Sequence, residues 1–170
     1  MSNWIAPIYD RTLNDVNNAI EQIRAWKERI LKGESVTTTD LKGSFGINDL
    51  NRVEGNMDYV IKKLVSLGYG DLTTYKPRVA GEWLRSDVCD IEDLERITNN
   101  LILLKSMITQ HPQTPDTPDI VSDVDYLKAN DLEKIIFDIN RTIECMTSYY
   151  VRAGVSRSGQ ARFWQNRFRR

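Results

Sequence analysis

At 170 residues, with 41% apolar and 28% charged side chains, the chain is the size of one domain, can bury a core without staples, and has an ordinary soluble composition. No apolar run approaches the roughly 20 residues that span a bilayer, and the opening MSNWIAPIYDRT has neither part of a secretory signal, so a soluble cytosolic chain is expected. The two cysteines, Cys89 and Cys145, exclude a disulfide framework and read as free thiols, while the net charge of −1 hides six arginines and no acid in 151–170, leaving −7 on the remainder.

Residues 1–11 hold Trp4, Ile5, Pro7, Ile8 and Tyr9, and the proline disfavours helix at Ala6, which predicts an extended arm. Thr12 followed by Asp15 reads as a helix N-cap, and Leu13, Val16, Ile20, Ile23, Ile30 and Leu31 continue an apolar stripe to Gly33. The polar stretch 34–47, with glycines at 43 and 46, reads as a connection. Asn48 is placed to cap a second helix that stops at Gly68. Gly55 inside it marks either a tolerated loss or a close backbone neighbour.

Gly70, Pro77 and Gly81 break the next stretch, and Trp83 is predicted to anchor it to the helices. Asp90 opens a third helix with Leu94, Ile97, Leu101, Leu104 and Ile108 along one face, ending before His111 and Pro112. The proline-rich QTPDTPDIVSD predicts an extended strap across the molecule. Asn130 and Glu133 read as a capping pair for a fourth helix, with Leu132, Ile135, Ile136, Ile139, Ile143 and Met146 facing inward. After Tyr150 no apolar stripe continues, which predicts an extended tail. The organisation read from this is an arm (1–11), a helical domain (12–150) and a basic aromatic tail (151–170). The fold class is all-α, four amphipathic helices packed as a bundle or as paired helical hairpins.

The helices share a template. Asp49-Leu50, Val53, Asn56-Met57 and Val60 recur as Asp93-Leu94, Ile97, Asn100-Leu101 and Leu104, then as Asp131-Leu132, Ile135, Asp138-Ile139 and Thr142-Ile143. A fainter copy runs through Asp15-Val16, Ala19, Gln22-Ile23 and Trp26. Asn56, Asn100, Asp138 and Gln22 each sit one residue before a core position. Such residues either form a buried polar layer or stay half-wet at a boundary, and the narrow stripe favours the boundary.

Catalytic chemistry is hard to place on this chain. The single His111 precedes a proline and has no ligand or triad partner at workable spacing. Glu54 and Asp58 share one helix face, but with Lys62 a turn further on they read as a solvated surface. Neither a GxxxxGK[ST] nor a GxGxxG loop is present, so no metal, phosphate or dinucleotide cofactor is expected. The arm residues Trp4, Ile5, Ile8 and Tyr9 and the tail residues Arg162, Phe163, Trp164, Arg167, Phe168, Arg169 and Arg170 are the candidate binding residues. Interleaved arginines and aromatics suit stacking on nucleobases and also anchor protein interfaces. The whole-chain pI of 5.9 favours protein contact over nucleic acid.

Four pieces carry a family resemblance: PIYDRTLNDV, DLNRVEGNMDYV, HPQTPDTPD leading to LKANDLEKIIFDIN, and SYYVRAGVSRSGQARFWQNRFRR. Together they resemble a family of tail-module proteins of tailed phages and prophages of Gram-positive bacteria. The Asn-Arg-Val-Glu-x-Asn element after Asp-Leu is the most specific, and the second copy departs from it to Glu95-Arg96-Ile97-Thr98-Asn99-Asn100. The resemblance implies a virion structural protein of the tail tip or baseplate, an adaptor or spacer and not an enzyme. It also implies assembly in the host cytoplasm, other tail proteins and copies of itself as partners, and no membrane.

Overall fold

The computed structural model describes residues 3–70, 73–79, 81–120 and 124–167, with side chains as far as 148. The class is all-α. Four helices follow one another: α1 (Leu13–Leu31), α2 (Ile47–Ser66), α3 (Ile91–Met107) and α4 (Tyr126–Arg167). Among the described residues no helix is long and apolar enough to cross a membrane.

The template decides which helices pack. Leu50, Val53, Met57, Val60, Ile61 and Leu64 of α2, Leu94, Ile97, Leu101 and Leu104 of α3, and Leu132, Ile135, Ile136, Ile139 and Ile143 of α4 form one buried cluster. These are the apolar positions of the repeat, so the three strong copies face one axis and α2, α3 and α4 pack pairwise. The faint copy behaves differently. Ala19 is the only buried residue of α1, and Leu13, Ile20, Ile30 and Leu31 stay exposed. The bundle proper therefore has three helices, with α1 beside it.

Two helix starts differ in mechanism from the sequence expectation. Asn48 does not cap α2. The helix begins two residues earlier, Gly46 is the N-cap, and the Asp49 carboxylate accepts its N–H at 2.8 Å, while Asn48 donates to Asp40. Nor do Asn130 and Glu133 cap α4, which starts at Tyr126 with Asp125 accepting the Lys128 N–H at 2.8 Å. Both residues lie inside the helix and hold another part of the chain. The helix α4 runs in its backbone to Arg167. No proline interrupts 151–167, and two interior glycines cost only about 1 kcal/mol each. The caps of α1 and α3 are those expected, Thr12 with Asp15 and Asp90, whose carboxylate accepts the Asp93 N–H.

Two glycines carry opposite predictions. A Cβ at Gly55 meets nothing within 4 Å, so Gly55→Ala is expected to raise unfolding free energy by about 1 kcal/mol in chemical denaturation. A Cβ at Gly43 falls 1.9 Å from the Asp15 carbonyl oxygen. There the connection after α1 lies against the α1 backbone, pinned by Lys42 to Asp10 at 3.0 Å and to Asp15 at 3.6 Å. Gly43→Ala is expected to cost roughly 1–3 kcal/mol and to accelerate amide exchange in α1.

Candidate docking sites built on a repeated backbone clamp

The residues at the recurring Asn/Asp position are buried, not half-wet. Asn56, Asn100 and Asp138 are 1%, 2% and 4% exposed. They do not bond one another; each reaches a non-helical segment that crosses the bundle, and Asp138 also binds Lys134 of its own helix. Asn56 accepts the Ile5 N–H at 2.9 Å and donates to the Ile5 carbonyl at 2.7 Å. Asn100 treats Lys76 in the same way, at 3.0 and 2.7 Å. An asparagine side chain has one acceptor and two donors, so it can mimic a neighbouring strand and satisfy both backbone groups of one residue. Asp138 cannot donate and instead accepts the Thr114 hydroxyl at 3.0 Å. Gln22, on α1, is exposed.

Two more asparagines repeat the bidentate device at a second level. Asn51 accepts the Trp83 N–H at 2.7 Å and donates to its carbonyl at 3.0 Å. Asn130 does the same for Arg11, at 3.0 and 2.9 Å. Strap 1 (3–11) thus runs from α2 to α4, and strap 2 (73–79 and 81–90) from α3 to α2. Strap 3 (109–120) starts on α4 through Thr114, and its Pro115 carbonyl accepts from Lys105 of α3 at 2.9 Å. Further along, Asp119 and Ile120 line a shallow hollow with Ile91, Glu95, Thr98 and Asn99 of α3. Each of the three grooves between packed helices holds one strap, in cyclic order.

Strap 1 carries the densest electrostatics. Arg11 and Arg52 face Asp49 and Glu133, two guanidiniums against two carboxylates. Glu133 Oε1 accepts from Arg11 and Arg52, each at 2.7 Å, and Oε2 accepts from Arg52 Nε at 2.8 Å and from the Ile8 N–H at 2.7 Å. Asp49 accepts from Arg11 at 2.7 Å and from Arg52. Glu133 and the Arg11 side chain are each 1% exposed. Burial opposes the charge on Arg52, but hydrogen bonds and attraction from Glu133 and Asp49 outweigh it and raise its pKa. Arg11 Nε is buried without an acceptor, and the Phe45 ring lies 5.7 Å from the guanidinium carbon. With every Glu133 lone pair engaged, the cluster holds a segment in place and leaves no carboxylate oxygen free for a reacting group.

The arm residues singled out from sequence are in contact with their own chain. Trp4 meets Tyr59 at 5.7 Å between centroids, and Tyr9 meets Phe137 at 5.0 Å. Ile8 is partly buried and Ile5 is 54% exposed. Of the tail candidates, the side chains of Arg162, Phe163, Trp164 and Arg167, and the whole of Phe168, Arg169 and Arg170, lie outside the described residues. Trp83 anchors strap 2 as predicted, 3% exposed, with its Nε1 donating to Glu54 at 2.8 Å. Glu54 is no solvated carboxylate, since Arg96 also binds both its oxygens, at 2.8 and 2.9 Å. Asp58 does pair with Lys62, at 2.6 Å.

Comparison with known protein families, curated proteins and solved structures finds no match. Among the described residues no group of three or more His, Cys, Asp or Glu is arranged to hold a metal ion. Both cysteines are free. Burial, reinforced by Asp93 and Asp90, pushes the Cys89 thiol up to about 11, the opposite of what a reactive cysteine needs.

Two carboxyls shift the other way. The Thr12 hydroxyl and backbone N–H hold Asp15 below its ordinary 3.8, and the Leu84 N–H with Arg78 does so for Asp87. A depressed folded pKa gives stability that is full above the unfolded value and lost as pH falls through the folded one. Acidification below 3.8 is therefore expected to loosen the start of α1 and the 78–87 loop, followed by amide shifts in NMR. Asp15→Asn should flatten that response at α1.

Proposed function

We propose that the chain is a non-enzymatic structural subunit of a phage tail, an adaptor or spacer near the tip or baseplate. The observation that carries the reading is the use of buried and half-buried polar groups. Asn51, Asn56, Asn100, Asn130 and Glu133 all hold the chain's own straps in the grooves of the bundle, which makes a braced block. The four-piece resemblance supplies the setting, and the arginine-aromatic tail of 161–170 supplies the docking element. Its partners are other tail proteins and further copies of itself, in the virion and, during assembly, in the host cytoplasm.

Deleting 161–170 is the test. The expected result is a chain with unchanged thermal unfolding that is missing from purified particles, and normal incorporation of the truncated chain would refute the reading. A second reading, nucleic-acid binding, is favoured by the six tail arginines. It requires retention of DNA or RNA that falls steeply with added salt, and no retention at low salt removes it.

A further inference from the structure

We infer that the groove between α2 and α4 is a docking site for strap 1 of a second copy of this chain, exchangeable with the copy's own strap 1. The inference deepens the assembly reading by naming a partner, and rests on it for the setting in which copies meet.

The three straps are alike in how they are held but not in how they are tethered. Straps 2 and 3 connect packed helices on both sides, α2 to α3 and α3 to α4, so neither can leave without parting the core. Strap 1 joins the packed helices only through α1 and the connection 32–46. Residues 10–43 form a unit of their own, tied by the Lys42 bridges to Asp10 and Asp15 and by the Gly43 approach to the α1 backbone. That unit buries only Ala19 of α1. For it to reach another body, the exposed Asn48–Asp40 hydrogen bonds at 2.6 and 2.8 Å must part and the short turn from Gly43 to Ile47 must change.

What the groove reads also suits exchange. Asn56, Glu133 and Asn130 contact backbone N–H or C=O groups of Ile5, Ile8 and Arg11, so register is set by main chain. Arg11 is the single deeply buried side chain of the strap, and Ile5 stays 54% exposed. An empty groove would leave Asp49 and Glu133 facing Arg52 alone, an excess negative charge that selects an arginine-bearing segment. A second copy presents the same segment and re-forms the same bonds, which is why swapping an identical element is a low-cost route to association. The gain in trans comes from α1. Its exposed Leu13, Ile20, Ile30 and Leu31 travel with the arm and can be covered by the neighbour.

Two full-length variants test this. Ile5→Pro/Ile8→Pro removes two arm N–H donors and leaves every groove residue in place. Asn56→Ala/Asn130→Ala removes the clamps and leaves the arm intact. Each alone is expected to sediment as a single chain. Mixed in equal amounts they are expected to form a two-chain complex, the sound arm of one seated in the sound groove of the other. A synthetic peptide of residues 1–12 should bind the proline variant about tenfold more tightly than the asparagine variant, the scale set by losing such hydrogen bonds. A mixture that keeps the single-chain mass overturns the inference. If the asparagine variant loses its helicity, the peptide on the proline variant decides alone, and absence of saturable binding overturns it. Incorporation into particles is scored separately, so failure of exchange and failure of the tail reading are distinct results.

Discussion

Glu133→Ala is expected to lower unfolding free energy by roughly 3–5 kcal/mol, the largest single effect of any polar position, because it leaves two guanidiniums with one carboxylate inside the protein. Glu133 accepts four hydrogen bonds, two of them from Arg52 and one each from Arg11 and the Ile8 N–H, all between 2.7 and 2.8 Å. Glu133→Gln keeps the shape and loses the charge, so it should fall near the alanine variant. The pairing also predicts its own rescue. Arg11→Met/Glu133→Leu leaves Arg52 opposite Asp49, restores charge balance and should recover most of the loss, since apolar replacement of a buried pair is often neutral. Urea denaturation of the four chains measures this, and equal destabilisation of single and double variants would show that packing, not charge, sets the cost.

Trp83→Ala is expected to cost roughly 3–5 kcal/mol through lost burial and the cavity left behind. Its ring is 3% exposed, with the Arg78 guanidinium carbon 4.0 Å from the ring centroid and Nε1 bonded to Glu54. The loss should spread along strap 2. Arg78 holds the carbonyls of Gly81 and Glu82 and the Asp87 carboxylate, and its place depends on the ring beneath it. Hydrogen exchange is expected to rise across 76–87 more than in α4. Trp83→Phe keeps the apolar plug but not the Nε1 donor, and should cost less.

These two sites differ in how far they were legible. Trp83 could be assigned an anchoring role from sequence, because a large ring between broken, glycine-bearing stretches has few other uses. Glu133 could not. Asn130 three residues before it made it look like half of a capping pair, a local motif, whereas its partners Arg11 and Arg52 lie 122 and 81 residues away. The asparagines failed for the same reason. Asn56 at the edge of a stripe reads as wet on an isolated helix, and its burial exists only because Ile5 lies over it. One signal was available: the residues held by the recurring Asn or Asp, namely Ile5, Lys76 and Thr114, each lie one or two positions before a proline.

Helix type and the inward face of α2, α3 and α4 were determined by the sequence alone, because apolar spacing and helix geometry are both local and share one period. The repeat DLNRVEGNMDYV, with its two strong copies and one faint one, announced four related helices without saying which would pack or how they would be braced. Only the tertiary structure decided that α1, bearing the faint copy, stands beside the bundle, that the asparagines grip straps, and that Arg11 completes a buried cluster with α2 and α4. Those outcomes depend on which segment covers which groove. Coverage is set by contacts between residues far apart in the chain, where periodicity carries no information.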